Sequence, residues 1–194
     1  LGQHRSTVTR LREIARPIMA ELAARSGETV FLGILTPDYA VLQIEKVVSP
    51  DIIRFDSEIG VLLPAHCSAL GKALLAHLPA TELERFLSRA PFKRYTPSTL
   101  TEADELRAAF DEIRSSGRAV NHGEMVPDAS AIAAPVRTSS SETVAGLNIG
   151  GPTSRVLQNV DGLARLVAEA ARRIGDAHSA EMPGERRLAA PVRH

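Results

Sequence analysis

Residues 29–35, TVFLGIL, are apolar at odd and even positions alike. Successive side chains of a β-strand point to opposite faces of its sheet, so this strand presents apolar surface on both sides. Both faces must therefore be covered, and no other feature of the chain constrains its fold as tightly. Residues 39–48, YAVLQIEKVV, continue the β-rich composition, and Pro37-Asp38 between the two runs supplies turn chemistry. An antiparallel hairpin is expected, with a short third strand at 52–55.

Helical periodicity flanks this sheet. Val8, Leu11, Ala15, Ile18 and Leu22 form one apolar stripe, the signature of an amphipathic helix of about 20 residues. Pro17 is expected to kink it, and Gly27 to stop it. Five arginines against Glu13 and Glu21 leave residues 5–25 basic. Three further helices are expected. One spans 66–78 around Leu70, Ala73, Leu74 and Leu78. The next, 81–87, opens on a capping box of Thr81 and Glu84. The third spans 101–116, with Thr101 and Asp104 at its start, Leu106, Phe110 and Ile113 on one face and Gly117 as its stop. Residues 91–99 read as a loop. Strand patterns return at 118–126, 131–138 and 143–150, with a turn at 139–142. A last helix at 154–174 carries Val156, Val160, Leu163, Val167, Ala171 and Ile174 on its apolar side.

The element order predicts an α+β fold: an antiparallel sheet of about six strands flanked by helices. Residues 1–27 form an N-terminal helix, 28–178 the domain proper, and 179–194 are expected to be a disordered tail.

Composition narrows the function. In 194 residues, 23 Lys and Arg balance 23 Asp and Glu, which argues against a general grip on nucleic acid. The one cysteine, Cys67, excludes a disulfide scaffold and a multi-thiolate zinc site. The six histidines fall in no ligand-like spacing, and no Gly-rich phosphate loop is present; neither a metal nor a cofactor is expected. Apolar runs are too short for a membrane span and no signal peptide is visible, so a cytoplasmic protein is expected. The Leu1 start raises the expectation of an upstream segment.

Three places could carry chemistry. In 60–75, GVLLPAHCSALGKALL, Ser68 can cap a helix, leaving the N–H groups of Ala69, Leu70 and Gly71 as an anion site. Gly71 in the first turn fits either a close ligand or tight packing against neighbouring backbone. Asn121-His122-Gly123-Glu124 lies in a strand pattern with Met125 and Val126 and either faces water or a site. Asn148 and Gly150 share a strand face, and an inward Asn148 needs partners from backbone or ligand. His66-Cys67 invites a nucleophile reading, yet consecutive residues do not face each other on a helix, and no paired acid is evident.

The stretch 60–76, GVLLPAHCSALGKALLA, resembles the effector-domain signature of the IclR family of bacterial transcriptional regulators. Residues 15–35, 95–101 (YTPSTLT), 113–124 (IRSSGRAVNHGE), 131–137 (AIAAPVR) and 144–155 (VAGLNIGGPTSR) match it in order and spacing. The resemblance covers about residues 10–175. It implies a GAF-like effector-binding domain, an N-terminal winged helix-turn-helix outside this chain that makes the DNA contact, assembly into homodimers or tetramers, no enzymatic activity and a small organic acid as effector. By resemblance the pocket takes backbone from Ala69 and Leu70, apolar walls from Ile52, Phe55 and Leu63, polar positions Asn121 and Asn148, and lining from Ala131 and Gly150.

The chain departs from many members at Asn121-His122, where they carry an acidic pair. It also departs at Asn148 and Gly150, where they carry small hydroxyl residues, and at Ala131. Exchanging a carboxylate for Asn adds donors to an acceptor-only position, which points away from a two- or three-carbon keto acid and toward a larger or aromatic one. Two other readings are an oligomerisation module with a vestigial pocket, motivated by the heptad-like stripe of the first helix, and a thiol enzyme using Cys67.

Overall fold

The doubly apolar strand lies in the middle of its sheet. A computed structural model describes residues 2–181; it contains six helices and six strands in the order α1 (Gly2–Ser26), β1 (Thr29–Leu35), β2 (Ala40–Val47), β3 (Leu62–Pro64), α2 (Ala69–Leu75), α3 (Ala80–Leu87), α4 (Ala103–Ser116), β4 (Ala119–His122), β5 (Ala129–Arg137), β6 (Thr143–Pro152), α5 (Thr153–Val156) and α6 (Val160–Glu181). All pairings are antiparallel, in the strand order β3-β2-β1-β6-β5-β4. Residues 182–194, most of the expected tail, lie outside the described residues, while 179–181 complete α6.

Period-2 alternation divides the core in two. Val30 and Leu32 of β1, Ile132, Ala134 and Val136 of β5, and Leu147 and Ile149 of β6 pack with α1 and α6. Phe31, Leu35 and Ala133 face the other way, onto Leu70, Ala73 and Leu74 of α2, Phe86 of α3 and Phe110 of α4. Helices thus cover both faces, as the β1 sequence requires. Of the α1 stripe, Leu11, Ala15 and Leu22 are buried in the first core beside Met19, and Val8 and Ile18 pack partly buried against it. The seam that motivated an oligomerisation module is therefore core. α1 runs continuously through Pro17.

Buried charge is matched across this layer. Glu45 on β2 receives Arg12 at 3.3 Å and Arg16 at 3.5 Å, so two of the helix's five arginines share one buried carboxylate. Glu28, between α1 and β1, is held bidentately by Arg155 at 2.7 and 2.8 Å.

Several local expectations are corrected. The third strand is 62–64 rather than 52–55, because β2 pairs through Ala40–Leu42 with Leu62–Pro64 and residues 52–55 meet no partner strand. α3 is entered from Pro79 with no side-chain cap, so Thr81 lies inside the helix. At α4 the capping box is Glu102 with Glu105, one residue beyond the expected pair. β4 stops at His122, since Gly123 takes φ +63° and turns the chain. The last helix is preceded by α5 and a short 3-10 turn at Leu157–Asn159, and it extends to Glu181. Gly27 and Gly117 do end their helices, both at positive φ.

Glycines set how closely α2 approaches the sheet. Gly33 and Gly146 face each other across β1 and β6; a Cβ on either would crowd the Leu70 side chain, at 3.2 and 3.1 Å. A Cβ on Gly71 would lie 2.2 Å from the Ala65 carbonyl oxygen, so close approach to the 3-10 turn Ala65–Cys67 explains that glycine without a ligand. Gly71→Ala is expected to destabilise the chain by at least about 2 kcal/mol through overpacking against backbone. Gly150→Ala, whose added Cβ would meet only side-chain atoms at 3.5–3.9 Å, should change stability by less than about 1 kcal/mol. Urea unfolding followed by circular dichroism measures both.

Candidate functional site

Where β6 turns Gly146, Asn148 and Gly150 toward α2, the sheet face is stripped of bulk. The cross-strand neighbours of Asn148 are Phe31 and Ala133, and Gly150 pairs with Thr29 and Ala131. The start of α2 closes over this hollow and leaves a cavity of about 40 Å³, lined by Phe31, Gln43, Phe55, Leu63, Ser68, Ala69, Leu70, Asn121, Met125, Val126, Ala129, Ser130, Ala131, Asn148 and Gly150. One water needs about 10–15 Å³ measured this way, so the cavity has room for several small groups. None of the lining residues is charged. Phe31 and Phe55 meet edge to face at 5.9 Å.

Eight of the nine residues assigned by resemblance line this cavity. The exception is Ile52, 96% exposed on the irregular segment before β3. No strand forms there to turn it inward. The sequence did not single out Phe31, Gln43, Ala129 or Ser130, which also line the cavity. Phe31 was legible in principle, since its parity on β1 puts it on the same face as the residues packing α2.

The two asparagines differ sharply. Asn121 donates from Nδ2 to the Cys67 carbonyl at 2.7 Å and accepts from the Glu124 N–H at 2.9 Å. Its amide braces the 3-10 turn before α2 and the turn after β4, so its part in the cavity is structural support rather than an open polar contact. Asn148 is buried and its Oδ1 has no hydrogen-bond partner among the described residues. At the start of α2, Ser68 Oγ accepts from the Gly71 N–H at 3.1 Å. Of the three expected anion-binding amides, Gly71 is thus already engaged, and Ala69 and Leu70 remain at a helix start that supplies no intrahelical acceptor for them.

Behind the cavity lies a buried ion pair. Lys72 of α2 bonds the Glu124 carboxylate, and its Nζ also donates to the Val120 carbonyl at 2.8 Å. Glu124 Oε2 has no partner among the described residues. Thr96 Oγ1 donates to the Gly123 carbonyl at 2.7 Å, and Thr99 Oγ1 to that of Glu124 at 2.6 Å. The segment Asn121–Val126, which supplies Met125 and Val126 to the cavity, is therefore held from two sides. Burial, reinforced by the nearby Glu124 charge, pushes the Cys67 thiol up to about 12. His66 is pushed down by burial, with its Nε2 against the Lys93 carbonyl at 2.9 Å. A protonated, buried thiol beside a neutral imidazole turned to backbone is no nucleophile–base pair.

The family model described as the bacterial transcriptional regulator IclR C-terminal domain matches residues 3–176. The chain is 36% identical over 165 residues to the HTH-type transcriptional regulator BhcR of Paracoccus denitrificans, covering 84% of this chain and 59% of that regulator. The chain therefore spans about three-fifths of the length of that relative. Its structure resembles that of the C-terminal domain of the E. coli transcriptional regulator KdgR, with a TM-score of 0.76, 30% identity and coverage of 87% of this chain and 97% of that one. It also resembles an IclR homolog from Microbacterium hydrocarbonoxydans complexed with 4-hydroxybenzoate, with a TM-score of 0.80, 29% identity and coverage of 89% and 70%.

Two outcomes are expected of the polar groups. At about pH 8 a thiol whose pKa is near 12 has a thiolate fraction roughly a thousandfold below that of free cysteine. Iodoacetamide should thus leave Cys67 unmodified in the native chain and label it after unfolding in urea, as mass spectrometry would record. Lys72→Met should cost about 3–5 kcal/mol by leaving the Glu124 charge buried and unpaired, whereas Lys72→Met combined with Glu124→Leu should recover much of that loss. Chemical denaturation of the four members of the cycle measures the difference.

Proposed function

Because this chain belongs to the IclR family of bacterial transcriptional regulators, as their C-terminal domain, we propose that it is a ligand-sensing domain. It binds a small organic acid in the cavity between α2 and β6, and that binding governs the DNA affinity of a regulator assembled from copies of the chain. The family is regulatory rather than enzymatic. The observation that carries the sensor reading is Asn148: a buried amide on the wall of an uncharged cavity, with its oxygen unpaired among the described residues. Buried polar groups without partners are rare, and each calls for an explanation. A ligand in the cavity supplies the missing bond. The Ala69 and Leu70 N–H groups would receive the carboxylate, and Phe31, Phe55, Leu63 and Met125 would enclose the apolar body. The neighbour complexed with 4-hydroxybenzoate supports a ligand of this kind.

DNA contact is assigned to a helix-turn-helix of the type in the relatives' names, in sequence other than these 194 residues. The arginines of α1 support this division, since Arg12 and Arg16 face Glu45, and Arg25 faces Glu21 and Glu169. Assembly into a dimer or tetramer is supported by the exposed apolar side chains of Ile52, Ile53, Ile59 and Leu62. Among the described residues no helix is long and apolar enough to cross a membrane.

A thermal-shift panel of organic acids, including 4-hydroxybenzoate, tests the reading. A bound acid at about 100 times its Kd should add about 2.7 kcal/mol. Gly150→Val, which fills the space between Phe31, Phe55 and Ala131, should remove the response with the fold intact. Were no acid to raise the melting temperature, or were Gly150→Val to respond as the parent does, the reading would fail.

A further inference from the structure

Resting on the sensor reading above, we propose that Arg155 is the positioning residue that couples the cavity to the end of α1. A displacement of the segment that covers the cavity reaches Glu28 through the Arg155 guanidinium.

The cover is the stretch 48–61 between β2 and β3, which forms no regular secondary structure. Phe55 is its one residue in the lining. A cavity of about 40 Å³ holds only a few small groups, so a larger occupant has to push a wall aside. The strand walls are fixed by their ladders and the α2 wall by its helix. Met125 and Val126 are braced by Lys72, Thr96 and Thr99. The Phe55 segment is held by less. Lys46 Nζ donates to Asp56 Oδ1 at 2.6 Å and to the Ser57 carbonyl at 2.8 Å, and the Ser57 hydroxyl donates to Gln43 Oε1. Phe55 is the wall that yields.

The other end of this segment is seated on the junction between α1 and β1. Ser49 is buried there; its N–H donates to Thr29 Oγ1 at 3.1 Å and its hydroxyl to the Gly27 carbonyl at 2.6 Å. These bonds make Ser49 the pivot, and Asp51 is the first charged residue beyond it. Arg155 stands between Asp51 and the junction. Its Nη1 lies 3.6 Å from Asp51 Oδ2, while Nε and Nη2 hold the two Glu28 oxygens at 2.7 and 2.8 Å.

The two halves of this contact differ in strength. Glu28 is buried, and Arg155 is its one ion-pair partner among the described residues. A buried carboxylate held bidentately is costly to part from its cation. Asp51 is exposed and its pair is long, and such a pair contributes little. When the cover moves, Asp51 therefore leaves and Glu28 stays. The guanidinium loses the carboxylate that holds Nη1 and relaxes together with Glu28, which changes the seating of the α1 end.

Arg155 is itself tethered to the cavity wall. It lies in α5, directly after β6. Ser130 of the lining bonds Thr153 Oγ1 at 2.9 Å, and the Thr153 N–H donates to the Asp128 carbonyl at 2.9 Å. Gly151, next to Gly150 of the lining, leaves the space that the Glu28 carboxylate fills: a Cβ there would lie 2.2 Å from Glu28 Oε2. α1 is continuous over 25 residues, so a change of seating at Glu28 acts on a single rigid element.

Hydrogen exchange tests the coupling without any ligand. Native-state exchange is followed by NMR in the 194-residue chain and in Phe55→Ala, which removes the ring that fixes the cover to the cavity, with the amides of β6 as internal reference. Phe55→Ala should speed exchange of the amides of residues 23–28 about three- to tenfold relative to β6. In an Asp51→Ala background, which leaves the Glu28–Arg155 pair whole, the same substitution should change that ratio by less than about twofold. An Arg155→Lys background should behave likewise, because one ammonium keeps the charge beside Glu28 but cannot span both carboxylates. A merely structural role for Arg155 gives the same response to Phe55→Ala in all three backgrounds. No change at 23–28 in Phe55→Ala, or a change as large in the Asp51→Ala background as in the parent, overturns the inference. If Arg155→Lys does not fold, Asp51→Ala decides alone. No acid enters this experiment, so its failure leaves the sensor reading to be judged separately by the acid panel.

Discussion

Leu70 sits in a notch that two facing glycines open in the sheet, and the geometry of the site depends on that contact. Gly33 on β1 and Gly146 on β6 are cross-strand partners, and a side chain on either would crowd Leu70. With the notch open, α2 lies close against the sheet. A second close contact, Gly71 against the Ala65 backbone, folds the 3-10 turn back under the helix. Together they place the Ser68 cap and the Ala69 and Leu70 amides beside Asn148 and Gly150 on β6. Small residues thus act twice. At 33, 71 and 146 they let elements touch, and at 131 and 150 they keep them apart.

The polar interior divides along the same line. Lys72, Glu124, Asn121, Thr96 and Thr99 form one connected group that ties the turn after β4 to α2. A buried ion pair of this kind adds little net stability against an apolar replacement, but losing one partner is costly. Its consequence here is placement: Met125 and Val126 are held at the cavity by a segment with no regular secondary structure. Asn148 belongs to no such group. Two asparagines on neighbouring regions of the same sheet thereby have opposite roles, one bracing backbone and the other open to the cavity. Cys67, beside the same network, stays a protonated thiol because burial and the Glu124 charge both disfavour its ionised form.

Much of this was legible beforehand. The apolar side chains at odd and even positions of β1 demanded cover on both faces, and helices supply it. Gly27 and Gly117 ended their helices where positive φ was needed, and Ser68 capped α2 as its residue type suggested. The misses have common causes. Thr81 and Thr101 carried good capping chemistry, yet α3 starts after Pro79 and α4 is capped by the Glu102–Glu105 pair, one residue on. Residues 52–55 had strand-like composition but no partner, because the far edge of β2 was taken by 62–64. Ile52, placed in the pocket by resemblance, was lost for the same reason.

From the sequence alone came the α+β class, the two-sided burial of the first strand and the shared face of Asn148 and Gly150. These follow from side-chain volume and from the two-residue period of a strand, which are local properties. Which polar groups find partners was decided only by the tertiary structure. Asn121 and Asn148 look alike in sequence, each flanked on its N-terminal side by an aliphatic residue. Only folding brings the Cys67 carbonyl and the Glu124 N–H to Asn121, and only folding surrounds Asn148 with Phe31, Ala133 and two glycines. Satisfaction of a hydrogen bond depends on what lies within about 3 Å in space, and neighbours in space come from strand register and helix seating rather than from spacing along the chain.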